Sequence, residues 1–330
     1  MHDRADLKCL FDELDIEVPT VVWADDIAIP LAARAADALV PLLQDTLTLV
    51  RQTLQSYGFL LNFAMGKTSA VLTFKGQGAG ALRKQYQLHS RPGVMCDFPD
   101  GETEWLHFVP AYRHLGTLFA SSHDLTCELR ARVGMAKAAF TQLSRPILAN
   151  KNMPVHLRLQ FFHSLVATKL FFGLGSWPTP TPKQLQYFQG CYVSMLRRVL
   201  RVGRQTLPAE QVLASAGAAD ARTKLAVERL LYAQRLFRTG PAFLHMLLHR
   251  EQACTEGSWL HGLLADLAWM EAVCPHCLPT HWQSDLTPLF DLWQDPKSTW
   301  ISLVKRCFKL HLTQTAIMTD AEKLHVEVFP

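Results

Sequence analysis

The sequence predicts an α+β protein, in which short strands and one helix come first and a helical region follows. Apolar and β-branched residues surround a polar turn in "VVWADDIAIP" (21–30), a pattern typical of two short paired strands. From about residue 122 onward, apolar residues recur at steps of three and four, which is the spacing of an amphipathic helix. Strands followed by a run of helices indicate the α+β class.

The strand-containing part begins with the hairpin of residues 21–30, which is followed by a helix. Its apolar stripe consists of Leu43, Leu47, Val50, Leu54 and Tyr57. Pro41 suits the first turn of this helix and Gly58 its C-terminal cap. Residues 59–74 predict a strand, a glycine-centred turn and a second strand, and residues 105–119 predict another pair with a bend at Pro110. We expect these strands to be antiparallel.

A long polar connection is predicted for residues 76–103, which begin with "GQGAG" and include "SRPG" and "DFPDGE". The glycines invite comparison with a phosphate-binding loop, but no Lys-Ser/Thr follows them. We therefore interpret "GQGAG" as a flexible connector.

Three helices are predicted after residue 122. The apolar stripe of the first consists of Leu125, Leu129, Val133, Ala136, Phe140 and Leu143, and we place Arg130, Arg132 and Lys137 off this stripe. The second helix covers 154–172, and the third begins near Pro182 and ends at a basic cluster around Arg201. Residues 207–330 predict further helices joined by loops.

Length and composition indicate a globular protein of about two domains. The chain has 330 residues, of which 49% are hydrophobic and 19% are charged, which argues against disorder. The start of the chain resembles no signal peptide, and apolar runs such as residues 164–175 are too short and too interrupted to cross a bilayer. Eight cysteines, mostly scattered, favour a reducing compartment. We expect an intracellular protein of the nucleus or cytoplasm with no membrane partner.

Charge is distributed very unevenly along the chain. Residues 129–209 contain twelve Lys and Arg and no Asp or Glu, so the formal charge of this acid-free stretch is +12. The net charge of the whole chain is +4, so all other residues together carry −8. A solvated helical face normally mixes both signs. The absence of carboxylates over this length indicates a polyanionic partner, for which we favour nucleic acid over an acidic protein or a membrane surface.

Asp25 and Asp26 stand side by side at the predicted hairpin turn. Adjacent carboxylates repel each other, and Asn-Gly or Asp-Gly would form the turn more easily. One interpretation is a solvated surface turn. The other is a cation site, because carboxylate oxygens are ligands that Mg²⁺ prefers.

Three motifs in order along the chain resemble the reverse transcriptase of non-LTR (LINE-type) retrotransposons. Trp23-Ala24-Asp25-Asp26 is similar to that family's aromatic-Ala-Asp-Asp motif, although Tyr or Phe is usual at the position of Trp23. Asn62, Gly66, Lys67 and Thr68 resemble its next motif. Tyr112, Leu115 and Gly116 resemble its Tyr-x-x-Leu-Gly primer-gripping hairpin. The resemblance covers roughly residues 19–205.

The resemblance implies a partial polymerase palm in residues 1–118, a basic helical thumb in 119–206 and a helical C-terminal region in 207–330. Asp25 and Asp26 would bind the Mg²⁺ ions of two-metal nucleotidyl transfer, and Lys67 would stabilise charge or donate a proton at the incoming triphosphate. The RNA template and DNA primer, or their hybrid, would contact these residues: Trp23, Tyr112, Gly116, Arg130, Arg132, Lys137, Arg197, Arg198, Arg201 and Arg204. Lys67 as an ordinary turn lysine and Tyr112 as a core aromatic are the plainer alternatives.

A two-metal site also needs an aspartate from a neighbouring strand, which in the family lies well upstream. Only 24 residues precede Asp25, and their carboxylates fall in a stretch that predicts a short amphipathic helix. We therefore expect the C-terminal part of a polymerase that is inactive by itself. The alternatives are a non-catalytic nucleic-acid-binding module and a helical domain that binds an acidic protein.

The sequence "CPHC" places Cys274 and Cys277 at the C-x2-C spacing of a zinc half-site. The other half is open: His281 follows too closely for a zinc finger, whereas Cys307 and His311 form a C-x3-H pair about thirty residues later. LINE-type proteins often end in a Cys/His knuckle, which favours Zn²⁺ here. Two buried thiols in a loop are the alternative.

Overall fold

The computed structural model describes residues 21–23, 26–114, 116–121, 124–203, 206–240, 256–283, 287–294 and 299–328. Within these ranges the protein is α+β, as the sequence predicts, with a small mixed sheet and many helices. The chain divides into two compact units, of which the first ends at Glu128 and the second begins at Leu129. The palm and thumb assignments and the boundaries at 118 and 206 stay predictions.

The N-terminal hairpin is confirmed. Strands β1 (Val21–Trp23) and β2 (Asp26–Ala28) pair antiparallel, with Val22 opposite Ile27. Helix α1 (Leu39–Ser56) follows, as predicted, and places Pro41 in its first turn. Gly58 lies just beyond the end of α1 with φ +80°, a left-handed conformation that glycine adopts without steric cost.

The segment 59–74 differs from its prediction. Its only strand is β3 (Ser69–Ala70), and residues 59–63 form no strand. Phe59 and Leu60 are well exposed there, and the N–H of Phe59 donates to the carbonyl of Leu54 at the end of α1 (2.9 Å). The apolar pattern indicated a strand, but a strand requires a neighbour that satisfies its backbone groups.

The segment 76–103, predicted as a long polar connection, contains regular structure that the prediction lacked. It contains helix α2 (Ala79–Tyr86), strand β4 (Gly93–Asp97) and the start of strand β5 (Thr103–Phe108). The "GQGAG" stretch leads directly into α2. Burial explains both elements, because α2 packs Leu82 and Tyr86 against the core of the first unit and β4 buries Cys96 in it.

The sheet of the first unit has the order β3-β5-β4. Strands β4 and β5 are antiparallel, but β3 and β5 are parallel, so the expectation of an entirely antiparallel sheet is wrong for this pair. A separate antiparallel hairpin follows, formed by β6 (Ala111–His114) and β7 (Thr117–Ala120). Residues 103–120 therefore hold three strands, where two were predicted for 105–119.

Helices account for the regular structure of the second unit, and the three predicted helices are all present. Helix α3 (Thr126–Leu143) begins just before the unit boundary and continues into a π-helical turn, Ser144–Leu148. Helix α4 (Val155–Phe161), a π-helical stretch (Phe162–Ala167) and helix α5 (Thr168–Leu170) follow one another without a break. Helix α6 covers Pro182–Leu200.

Five further helices complete the described part of the second unit. They are α7 (Ala209–Ser215), α8 (Ala221–Thr239), α9 (Trp259–Val273), α10 (Thr287–Gln294) and α11 (Thr299–Val328). Helices α8 to α11 enclose an apolar core that includes Leu230, Leu267, Trp293, Trp300 and Cys307, all fully buried. This core includes the end of α9 and the first turns of α11, and the only close pair of cysteines in the sequence lies at its edge.

Candidate metal centre and basic helical surface

The proposed magnesium ligands lie largely outside the described residues. Asp25 is not described, and Trp23 and Asp26 are described only as backbone, in which they face each other across β1 and β2. The backbone of β1 and β2 therefore forms the predicted hairpin. The arrangement of the two carboxylates stays a prediction.

Lys67 is exposed in a tight loop of the first unit that Asn62 organises. The side-chain Oδ1 of Asn62 accepts a hydrogen bond from the N–H of Ala64 (2.9 Å), and its carbonyl accepts one from the N–H of Thr68 (2.9 Å). Gly66 takes φ +81° at the turn itself. These residues of the second motif therefore build the loop that presents Lys67 to solvent.

Tyr112 and Gly116 belong to the β6–β7 hairpin. Tyr112 is half-buried and lies opposite Phe119, which is exposed. Gly116 has φ +84° at the turn between the strands. A positive φ at a hairpin turn is the conformation for which glycine is preferred, so its place in the motif has a local structural reason.

The predicted nucleic-acid-binding cations differ in how accessible they are. Arg130, Lys137, Arg198 and Arg201 are exposed, and Arg197 is half-buried. Arg204 lies outside the described residues. Arg145, which the sequence placed in the same acid-free stretch, is exposed on the π-helical turn after α3. The accessible cations therefore lie on α3, on this turn and at the end of α6.

Arg132 does not belong to this exposed set. It is only 4% exposed, and its guanidinium lies 4.4 Å from the ring centre of Phe172. The position of Arg132 in the sequence explains this burial. It is three residues after Leu129 and four before Ala136, so it shares the apolar side of α3 rather than lying off the stripe as we expected.

Three arginines near the end of α6 have partners that favour the local fold. The guanidinium of Arg198 lies 4.7 Å from the ring centre of Phe140 and donates to Oγ of Ser144 (3.3 Å). Arg197 donates to the carbonyl of Gly203 (3.2 Å), and Arg201 caps α6 with φ +63°. Cations are also favoured at a helix C-terminus by the helix dipole. Part of this cluster therefore has a structural role.

The "CPHC" turn begins where α9 ends. Cys274 is the residue after the helix, and its carbonyl accepts a hydrogen bond from the N–H of Cys277 (3.2 Å). Between them, His276 adopts a left-handed conformation with φ +60°. This tight turn brings both thiols to one side, as the C-x2-C spacing predicts.

Cys307 of α11 is the third member of the cluster. The Sγ atoms of Cys274, Cys277 and Cys307 all lie within 4.8 Å of one another. Among the described residues, this is the group whose side chains could hold a metal ion, and zinc is one that suits it. A tetrahedral zinc site with Zn–S bonds of about 2.3 Å requires sulfur atoms about 3.8 Å apart, so only a small inward movement is needed.

The predicted partner of Cys307, His311, has other contacts. Its Nε2 lies 3.2 Å from Oγ1 of Thr223, and its ring packs against Trp269 with centres 5.5 Å apart. His276 and His281 are exposed on the turn and just after it. Of the C-x3-H pair, Cys307 and not His311 therefore lies next to Cys274 and Cys277.

Electrostatics in the metal-free cluster favour protonated thiols. Burial raises the pKa of Cys277, and the neighbouring Cys307 and Cys274 raise it further. Burial and the neighbouring Cys274 together raise the pKa of Cys307 to about 11. One cation is close, since Nη2 of Arg306 lies 3.5 Å from Sγ of Cys274. A bound divalent ion deprotonates coordinating thiols outright, so metal uptake here would release protons.

No helix among the described residues combines the length and the apolar character that a bilayer span requires. Comparisons with protein-family models, with curated proteins and with solved structures found no match to this chain.

Proposed function

We propose that this chain is the nucleic-acid-binding portion of a protein related to the reverse transcriptases of non-LTR retrotransposons. The observation that carries the proposal is the composition of residues 129–209, which contain twelve Lys and Arg and no Asp or Glu. Arg130, Lys137, Arg145 and Arg201 are exposed to solvent within it. A helical surface of one sign attracts a polyanion and releases the counterions of its phosphates on binding.

Salt dependence tests this proposal directly. Affinity for an RNA/DNA hybrid is measured by fluorescence anisotropy between 50 and 200 mM salt (about a fourfold range), where phosphate-dominated binding falls steeply. Replacing Arg130, Lys137, Arg145 and Arg201 with Gln should reduce the slope of log affinity against log salt by about 3 to 4, if each contacts one phosphate.

The matched control replaces four exposed cations outside the acid-free stretch, which are Arg222, Arg235, Arg238 and Lys309. This variant loses the same net charge but should keep the slope of the wild type. Equal losses in the two variants would mean that net charge alone drives binding, and the proposal would fail. If the wild type shows no salt-dependent binding to the hybrid, the proposal fails and an acidic protein partner is the alternative.

The chemistry proposed for the complete protein is two-metal nucleotidyl transfer. Asp25 and Asp26 would bind Mg²⁺, Lys67 would lie near the triphosphate, and Tyr112 and Gly116 would contact the primer. The support is the resemblance of the three motifs, together with the paired backbone of Trp23 and Asp26. We expect the isolated chain to bind nucleic acid without extending a primer.

Primer extension with Mg²⁺ and a labelled hybrid separates binding from catalysis. Template-directed incorporation that Asp26→Asn abolishes would show that the chain is catalytic by itself, against our expectation. Binding without incorporation is the expected result, and the non-catalytic nucleic-acid-binding module is the alternative that shares it.

We further propose that the cysteine cluster of Cys274, Cys277 and Cys307 binds Zn²⁺. The supporting observation is the convergence of three sulfur atoms within 4.8 Å, because thiolate ligands select soft or borderline metals such as zinc. The bound ion would link the end of α9 to α11.

Metal analysis of the dialysed protein tests this proposal. It should find zinc in the wild type and in Cys127→Ser, at an exposed cysteine elsewhere, but not in Cys274→Ser or Cys307→Ser. Zinc absent from the wild type would contradict the proposal.

A further inference from the structure

The carboxylate of Glu271 lies inside the turn that carries Cys274 and Cys277. Glu271 is in the last turn of α9, three residues before Cys274. Its Oε1 accepts a hydrogen bond from the N–H of His276 (2.8 Å), and its Oε2 accepts one from the N–H of Leu278 (3.2 Å). These two N–H groups belong to the residues on either side of Cys277.

These contacts satisfy a backbone that would otherwise be difficult to hold. The turn contains His276 in the left-handed conformation, which is unfavourable for a residue with a Cβ. The N–H of Cys277 donates to the carbonyl of Cys274. The N–H groups of the residues before and after Cys277 both donate to the carboxylate of Glu271. A charged acceptor forms stronger hydrogen bonds than a neutral one.

We propose that Glu271 is a positioning residue of the metal centre, which folds the turn so that Cys277 faces Cys274 and Cys307 before any ion binds. This inference rests on the proposed zinc site. Each carboxylate oxygen is engaged by a backbone donor, so Glu271 acts through the turn and not as a ligand. Oε2 lies 3.9 Å from Sγ of Cys277, so its negative charge opposes thiolate formation while its hydrogen bonds favour the correct geometry.

Isosteric replacement separates these two effects. Glu271→Gln removes the charge and puts an amide donor against one of the two N–H groups, and Glu271→Ala removes both acceptors. If positioning dominates, the affinity for Zn²⁺, measured by competition with a chromophoric chelator, should fall about 10-fold to 100-fold, as for other outer-shell partners of metal ligands. Glu210→Gln, at an exposed glutamate in the first turn of α7, is the control and should bind as the wild type does.

A second readout requires no metal. In the metal-free chain of 330 residues, amide hydrogen exchange at His276 and Leu278 should be faster in Glu271→Gln than in the wild type, and unchanged in Glu210→Gln. If the wild type binds no zinc, the proposed metal centre fails, yet this comparison still decides whether Glu271 holds the turn. Unchanged exchange in Glu271→Gln would overturn the inference.

Cobalt substitution distinguishes positioning from ligation. The sulfur-to-Co²⁺ charge-transfer absorption per bound ion should be the same in Glu271→Gln and the wild type, because the same three thiolates bind. The d–d bands should also keep their positions. A shift of those bands in Glu271→Gln at constant charge-transfer intensity would identify Glu271 as a ligand. In the zinc competition assay, an affinity of Glu271→Gln equal to or above that of the wild type would show that the negative charge of Glu271 matters more than its hydrogen bonds to the turn. Either result would refute the positioning role.

Discussion

Removing the carboxylate of Asp266 should strongly destabilise the second unit. Asp266 of α9 is 8% exposed, and its Oδ2 lies 2.6 Å from Nη1 of Arg229 on α8, which is 1% exposed. The same guanidinium donates through Nη2 to the carbonyl of Trp177 (3.2 Å). Asp266→Ala leaves this buried cation without its anion, and breaking a buried pair in this way costs about 3–5 kcal/mol.

Urea unfolding followed by tryptophan fluorescence and far-UV circular dichroism measures this loss. Asp291→Ala, at an exposed aspartate on α10, is the control and should change the free energy of unfolding by less than about 0.5 kcal/mol. The double replacement Arg229→Met with Asp266→Leu should recover most of the loss, because apolar side chains of similar size often replace a buried pair at little cost. A loss below about 1 kcal/mol for Asp266→Ala would refute the reasoning.

Three other predictions concern the second unit. Gly262→Ala should lower the free energy of unfolding, measured in urea, by about 1–3 kcal/mol, because a Cβ there would lie 2.5 Å from Nη1 of Arg229. The control Gly134→Ala, where a Cβ meets nothing within 4 Å, should not lower it. Thr181→Ala removes the capping box of α6 and should lower the melting temperature through a loss of about 1 kcal/mol, which Thr181→Ser should largely restore. Burial raises the pKa of Asp266 from 3.8 to about 6, so the folded protein binds the extra proton between these values. Its unfolding free energy should therefore fall relative to Asp266→Asn as pH rises through this range; a parallel pH dependence of the two proteins would contradict this.

Periodicity in the sequence was sufficient for the long helices and the first hairpin. Helices α1, α3 and α6 are marked by apolar stripes and by terminal signals such as Gly58 and Pro182. Helix α2 and strand β4 were missed because they are short and lie among glycine, proline and polar residues. Their stability comes from tertiary burial of residues such as Tyr86 and Cys96, which a local pattern does not reveal.

The candidate sites show the same division between local and distant information. The spacing of Cys274 and Cys277 indicated two converging thiols, since a short turn determines their separation. Whether Cys307 or His311 joins them depends on how α11 packs against α9. Both residues are thirty or more positions after Cys277 in the chain, so no local pattern reveals this packing. Counting cations in the sequence also overstated the number that are exposed, because Arg132 is buried against Phe172.

The position of Cys307 has a consequence for how the end of the chain responds to its chemical environment. The segment between Cys277 and Cys307 contains three buried indoles, Trp282, Trp293 and Trp300, of which the last two are in edge-to-face contact with centres 5.6 Å apart. An ion bound by the three sulfurs would close this segment into a loop and restrict its unfolded conformations. Chelators or thiol oxidants that eject the ion would then loosen the indoles, and the intrinsic emission of the protein would report its metal occupancy.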